Sequence, residues 1–185
     1  MPKFSDIPQL IGFGNYSITV GLSYVKQQLS VFTEECNLDL EPEFQRDYVW
    51  SHEQKERYIE FLLRGGNTGR DILFNYANWG INVKSKRDLS DDPIVNRMVI
   101  VDGKQRLSAV TGFMDNDVKA FGYFYCDFTD KLRQTLVNLT FHVNELGTRR
   151  EILEWYLQLN SGGTVHTEEE LTKVRKMIEQ IEYKS

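Results

Sequence analysis

The chain has 185 residues, 41% apolar and 12% aromatic, and a formal net charge of −5 from 22 basic and 27 acidic side chains. That apolar content is enough to build the core of one domain, and it argues against global disorder. No run reaches roughly 18 uninterrupted apolar residues, so no membrane-spanning helix is expected, and the acidic balance speaks against a broadly basic nucleic-acid surface.

Met1 to Gly14 lacks the basic-then-apolar pattern of an export signal, so a cytoplasmic protein is expected. A first helix is expected over Leu22 to Glu35, and Asn37 to Leu40 reads as a short strand. Glu41 to Trp50 has mixed polarity and contains Pro42, and reads as an ordered loop. Ser51 followed three residues later by Gln54 is a capping box, so a helix opens there. Tyr58, Ile59, Leu62 and Leu63 share one face of it, and Gly65-Gly66 ends it. Ile72 to Trp79 and Arg97 to Val101 read as strands, separated by a polar, solvated insertion over Asn82 to Asn96. Asp102-Gly103 reads as a turn, Gln105 to Met114 as a helix, and the aromatic-rich Lys119 to Phe128 as a strand. A short helix near Asp130 to Leu136 and a strand over Val137 to Asn144 follow. Arg149 to Leu159 is expected to be helical up to Asn160-Ser161-Gly162-Gly163. A last helix opens with a second capping box, Thr167 and Glu170, and carries Leu171, Val174, Ile178 and Ile181 in one stripe. Strands and helices mix irregularly, so the expected class is α+β rather than a doubly wound sheet.

Three segments carry candidate chemistry. In Val99 to Leu107 an apolar strand runs through Asp102-Gly103 into a helix. The first N–H groups of a helix have no internal partners, and the dipole puts partial positive charge there. Gly103 permits close approach, and Lys104 and Arg106 add cationic donors, a combination that suits phosphate. An ordinary strand–turn–helix junction with solvated charges fits the same pattern. In Pro42 to Trp50, aromatics accompany Gln45 and Arg46, which suits base stacking and anion binding, or a loop pinned to the core by Phe44 and Trp50. In Leu157 to Thr164, Asn160, Gly162 and Gly163 either line a nucleotide pocket with backbone N–H groups or form a plain helix end. The three loops are expected to converge on one cleft.

Cys36 and Cys126 are too few for a disulfide framework and too scattered for zinc, and both read as reduced thiols. His52, His142 and His166 show no metal-ligand spacing and no His-Asn-His arrangement, so no protein-held metal is expected.

Taken in order, Pro-x-Phe-Gln-Arg-x-Tyr-Val-Trp, Asp-Gly-x-Gln-Arg-Leu and Leu-Asn-x-Gly-Gly-Thr resemble the N-terminal domain of GmrSD-type restriction systems, over roughly residues 17–171. The resemblance implies a ParB/sulfiredoxin-like fold, a small mixed sheet surrounded by helices, with a core over 17–171 and a C-terminal helix over 172–185 in a single 1–185 domain. It implies NTP binding and hydrolysis, with Asp102, Gln105 and Arg106 as catalytic residues. Gln45, Arg46, Gly103, Lys104, Asn160, Gly162 and Gly163 would bind the nucleotide, and Mg2+ would arrive through the phosphates. Lys104 departs from the family, which has glutamine there. Full-length members continue into a helical region and an HNH-type nuclease domain, so the expectation is a stand-alone short form in a bacterial cell or phage-infected host. Its expected function is a nucleotide-binding domain or slow NTPase in restriction or phage–host DNA biology. The alternatives are a non-catalytic module or inhibitor acting on a protein or DNA partner, and, behind it, a DNA nickase.

Overall fold

A computed structural model describes residues 6–7, 9–14, 16–80, 92–129, 137–160 and 168–182. Alternation of Tyr16, Ile18 and Val20 with Ser17 and Thr19 makes β1, Tyr16–Gly21. A 3-10 turn at Leu22–Tyr24 leads into helix α1, Val25–Cys36, which Asn37 closes in the left-handed conformation. Helix α2 spans His52–Leu63, and its capping box is formed: Gln54 N–H donates to Ser51 Oγ (3.2 Å) and Ser51 N–H to Gln54 Oε1 (2.8 Å). Strands β2 (Asp71–Asn75) and β3 (Val99–Asp102) precede helix α3, Lys104–Met114. Strand β4 (Asn138–Asn144) and helices α4 (Arg149–Asn160) and α5 (Glu168–Glu182) follow.

The sheet order is β1-β4-β2-β3. β1 runs antiparallel to β4, β4 parallel to β2, and β2 antiparallel to β3, so the sheet is small and mixed. Helices lie on both faces. Ile72, Phe74, Ile100, Leu139, Phe141 and Val143 pack with apolar residues of α1, α2 and α3. Leu73, Val99 and Val101 pack with Ile152, Leu153, Trp155 and Tyr156 of α4 and Val174 of α5, together with Phe44. Leu171 is buried as well, and Met177, Ile178 and Ile181 pack against this second cluster. The stripe along α5 is therefore spent on the core. No helix of the described residues is long and apolar enough to cross a membrane.

Four expectations need correction. Lys119 to Phe128 is not a strand: Ala120 and Tyr123 form one isolated bridge around Phe121 and Gly122, both at positive φ, and Tyr125–Asp127 is a 3-10 turn. Its aromatics serve packing instead, with Phe113 edge-on to Tyr125 (5.5 Å) and Phe128 (5.9 Å), and β-propensity yields to that context. Asn37 to Leu40 makes only a single-residue bridge, Asp39 to Val99, rather than a strand. The strand from Ile72 stops at Asn75, because residues 77–80 turn, with Trp79 N–H donating to Tyr76 O (3.0 Å). Of the insertion expected at 82–96, residues 92–96 are described, and there Ile94 and Val95 are buried in the second cluster rather than solvated. The helix expected over 130–136 and the cap expected at Thr167 lie outside the described residues.

Candidate functional site

The fold brings the second half of the 42–50 loop, the start of α3 and the end of α4 around one cavity of about 270 Å3. Its walls are Gln45, Arg46 and Trp50 from the loop, Asp102 to Arg106 from the β3–α3 junction, and Tyr156, Leu159 and Asn160 from α4. Gly162 and Gly163 lie outside the described residues.

Gly103 makes the junction possible. Its φ is +96°, and a Cβ there would sit 2.7 Å from Ile72 Cδ1 and 3.2 Å from Ile72 Cα. Glycine alone tolerates both the left-handed backbone and the close approach of β2. No side chain caps the α3 N-terminus and no acid occupies its first turn. The first-turn N–H groups, which have no partners within the helix, therefore begin at the cavity wall.

The loop is fastened to α3 almost residue by residue. Phe44 anchors its base, buried and edge-on to Tyr156 at 5.2 Å, a burial worth about 1.5–3 kcal/mol. Gln45 Nε2 donates to the carbonyls of Ile100 (3.1 Å) and Val101 (2.8 Å) in β3. Buried Gln105 holds the other end, accepting from the N–H groups of Val49 and Trp50 (both 3.1 Å) and donating to Asp47 O (2.9 Å). Buried Lys104 donates to Arg46 O (3.0 Å), and its ammonium lies 4.4 Å from the Tyr48 ring centroid. Arg149 pairs with Glu43 and Asp92, and Lys173 donates to Glu43 O (2.9 Å), so α4 and α5 hold the loop from the far side.

The charged groups facing the cavity are also engaged. Arg106 Nη2 donates to Asp102 Oδ2 (2.5 Å) and to Asp71 O (3.0 Å). Its Nε is buried with no hydrogen-bond partner among the described residues. Arg46 lies 3.9 Å from Glu170 of α5. Asn160 is buried and donates to Tyr156 O (2.7 Å). Burial pushes the Tyr156 hydroxyl up to about 12, against the pull of Arg46 and with the help of Glu170 and Asp102.

The structure thus gathers Gln45, Arg46, Asp102, Gly103, Lys104, Gln105, Arg106 and Asn160 at one place. It also separates their surroundings: Gln45, Lys104 and Gln105 spend their polar ends on the protein's own backbone, whereas Asp102, Arg106 and Arg46 hold one another or neighbouring acids. Tyr156 was not singled out from sequence, Trp50 entered only as a core anchor of its loop, and Leu159 only as part of the 157–164 segment. The i, i+4 spacing of Tyr156 and Asn160 on one helix was the available signal for Tyr156. His52 lies 3.5 Å from Glu56 on exposed α2, and His142 lies 2.8 Å from Asp71 on β4, away from the cavity lining. Among the described residues no three His, Cys, Asp or Glu side chains group as metal ligands.

The family model of the GmrSD restriction endonuclease N-terminal domain matches residues 28–135, more than half of the chain. The match contains the Gln45–Arg46 loop and the Asp102–Arg106 junction and ends before Asn160. No curated protein and no solved structure matches the chain significantly.

Proposed function

From the premise that the chain belongs to the GmrSD restriction endonuclease N-terminal domain family, whose role is restriction-related, we propose that its cavity binds a nucleoside triphosphate in a system that acts on DNA. The observation that carries this reading is the uncapped α3 N-terminus opening beside Arg46 and Arg106. Backbone N–H groups at a helix start, supplemented by guanidinium groups, bind phosphate oxygens. A cavity of about 270 Å3 lies just under the range of roughly 300–1,000 Å3 usual for small-molecule sites. It holds the phosphates, and the nucleoside then occupies the mouth.

Turnover in this reading is slow. Gln105 has both ends of its amide on the loop backbone, so it is not available to orient a water. Asp102 is the carboxylate at the cavity among the described residues, and it is tied to Arg106. With one carboxylate in the lining, Mg2+ would be carried by the phosphates rather than held by the protein, and Asp102 is the residue that would face it. The same commitment of Gln105 favours a second reading, a module that binds nucleotide without hydrolysing it.

The test is a thermal-shift screen with ATP, GTP, CTP and UTP, with and without Mg2+, followed by a phosphate-release assay. A native-state ligand at a hundredfold excess over Kd adds about 2.7 kcal/mol. For a chain of this length that is a rise of roughly 5–10 °C. A shift with phosphate release supports the slow NTPase, a shift without release supports the binding module, and no shift with any nucleotide overturns the proposal.

A further inference from the structure

We propose that Lys104 is a positioning residue, which fixes Arg46 at the cavity through the loop backbone instead of touching phosphate itself. The inference rests on the nucleotide reading above and assigns the lysine a different part in it.

The geometry leaves Lys104 little else to do. The residue is 7% exposed although it is a lysine in the first turn of a helix. Its ammonium donates to Arg46 O and sits against the Tyr48 ring. Among the described residues no carboxylate lies within ion-pair distance of it. A buried ammonium needs compensation, and here a carbonyl dipole and an aromatic face supply it, both from the loop. Gln105, the next residue, grips Asp47, Val49 and Trp50. Two consecutive helix residues thus hold 46–50 along its length, and Gln45 fastens residue 45 to β3. The side chain of Arg46 leaves this fixed backbone to line the cavity near Glu170. Lys104 touches Arg46 through its carbonyl, so its influence on a bound anion passes through Arg46.

The claim separates from direct phosphate contact in a double-mutant cycle. A residue that acts through another loses its effect once that other is gone, whereas independent contacts add. ATP and whichever nucleotide binds best are titrated against the wild type, Lys104→Met, Lys104→Gln, Arg46→Ala and Arg46→Ala with Lys104→Met. Lys104→Met keeps the stem and removes the donor, and is expected to weaken binding about tenfold, or about 1.4 kcal/mol. Lys104→Gln keeps a donor without the charge and is expected to recover most of that loss. In the Arg46→Ala background the methionine change is expected to have almost no further effect. Equal losses in both backgrounds, or a glutamine variant as weak as the methionine one, overturn the proposal in favour of direct contact.

Hydrogen exchange over 46–50, without nucleotide, keeps the two readings apart. Lys104→Met is expected to speed exchange at Val49 and Trp50 about tenfold, with Lys104→Gln near wild type. If no nucleotide binds the wild type, the function proposed above fails and the loop-fixing role stands or falls on this exchange. Unchanged exchange in Lys104→Met overturns it.

Discussion

Residues 9–14 and 42–50 both run largely without regular secondary structure, and a glutamine from a neighbouring helix clips the backbone of each. Gln158 of α4 accepts from Ile11 N–H and donates to Ile11 O, both at 2.8 Å. Gln105 does the same for Asp47, Val49 and Trp50. The chemistry of the two clips is alike, yet their surroundings differ. The 9–14 strap leaves Leu10 78% and Phe13 48% exposed. The 42–50 loop is also held by Lys104, Gln45 and buried Phe44, and it closes one side of a cavity whose other wall is a glycine turn and an uncapped helix start. An amide clip therefore makes a strap or a cavity wall according to what converges beside it. Substitutions in the two regions put that contrast to the test.

The largest effect of this series is expected from Gly103→Ala, at the turn that leads β3 into α3. Positive φ costs about 1–3 kcal/mol for a residue with a Cβ, and the contact 2.7 Å from Ile72 Cδ1 adds overpacking of similar size. A loss of about 3–5 kcal/mol is expected in urea unfolding. Gly122→Ala is the control: φ is +81° but no atom lies within 4 Å of its added Cβ, so only the backbone cost remains. Equal losses at the two glycines would remove the packing argument.

Next come the two clips themselves. Gln105→Ala strands two N–H groups and a carbonyl in a half-buried setting, for about 1–3 kcal/mol, and loosens the loop. Gln158→Ala is expected to cost about 1 kcal/mol and to free residues 9–14 without touching the cavity. Proteolysis and hydrogen exchange check this, each variant loosening its own segment only.

Arg106→Ala is expected to cost about 1–2 kcal/mol of stability, because it leaves half-buried Asp102 without its partner, and to weaken nucleotide binding about tenfold. Arg106→Lys restores charge without the fork that reaches both Asp102 and Asp71 O, so it recovers part of each. Urea unfolding beside nucleotide titration separates the two losses. A variant that melts like the wild type and loses all binding would make Arg106 a pure ligand contact.

The smallest effect is alkaline. Tyr156 carries a raised folded-state value of about 12, so its contribution is full below about 10 and is lost as pH rises through about 12. Tyr156→Phe is expected to lessen the fall in stability between about pH 10 and 12, measured by urea unfolding. Residues 9–14 contain no titratable side chain, so their exchange protection is expected to change little over that range.

Much of this arrangement was legible in the sequence where a local rule applies. The Ser51–Gln54 box, the Gly65-Gly66 stop, the Asp102-Gly103 turn and the helix faces of α2 and α5 each follow from spacing of a few residues. The alternation in Tyr16 to Val20 was equally local and was passed over, so β1 came only from the structure. Lys119 to Phe128 misled because aromatics favour strands and corners alike, and only tertiary packing chooses. At the cavity, residue types marked segments that converge, but their division of labour was hidden. Lys104 and Gln105 look like ligand groups in sequence, and the partners that claim them, at Arg46 to Trp50, lie more than fifty residues away.

The most direct test of the account is a 1H–15N NMR titration of the labelled protein with the nucleotide that gives the largest thermal shift. Phosphate at the helix start is expected to move the Gly103, Lys104 and Gln105 amide resonances most, with Arg46 next and Ile11 unmoved. Shifts that gather elsewhere, or no shift at Gly103 at saturating nucleotide, would contradict a phosphate site at the start of α3.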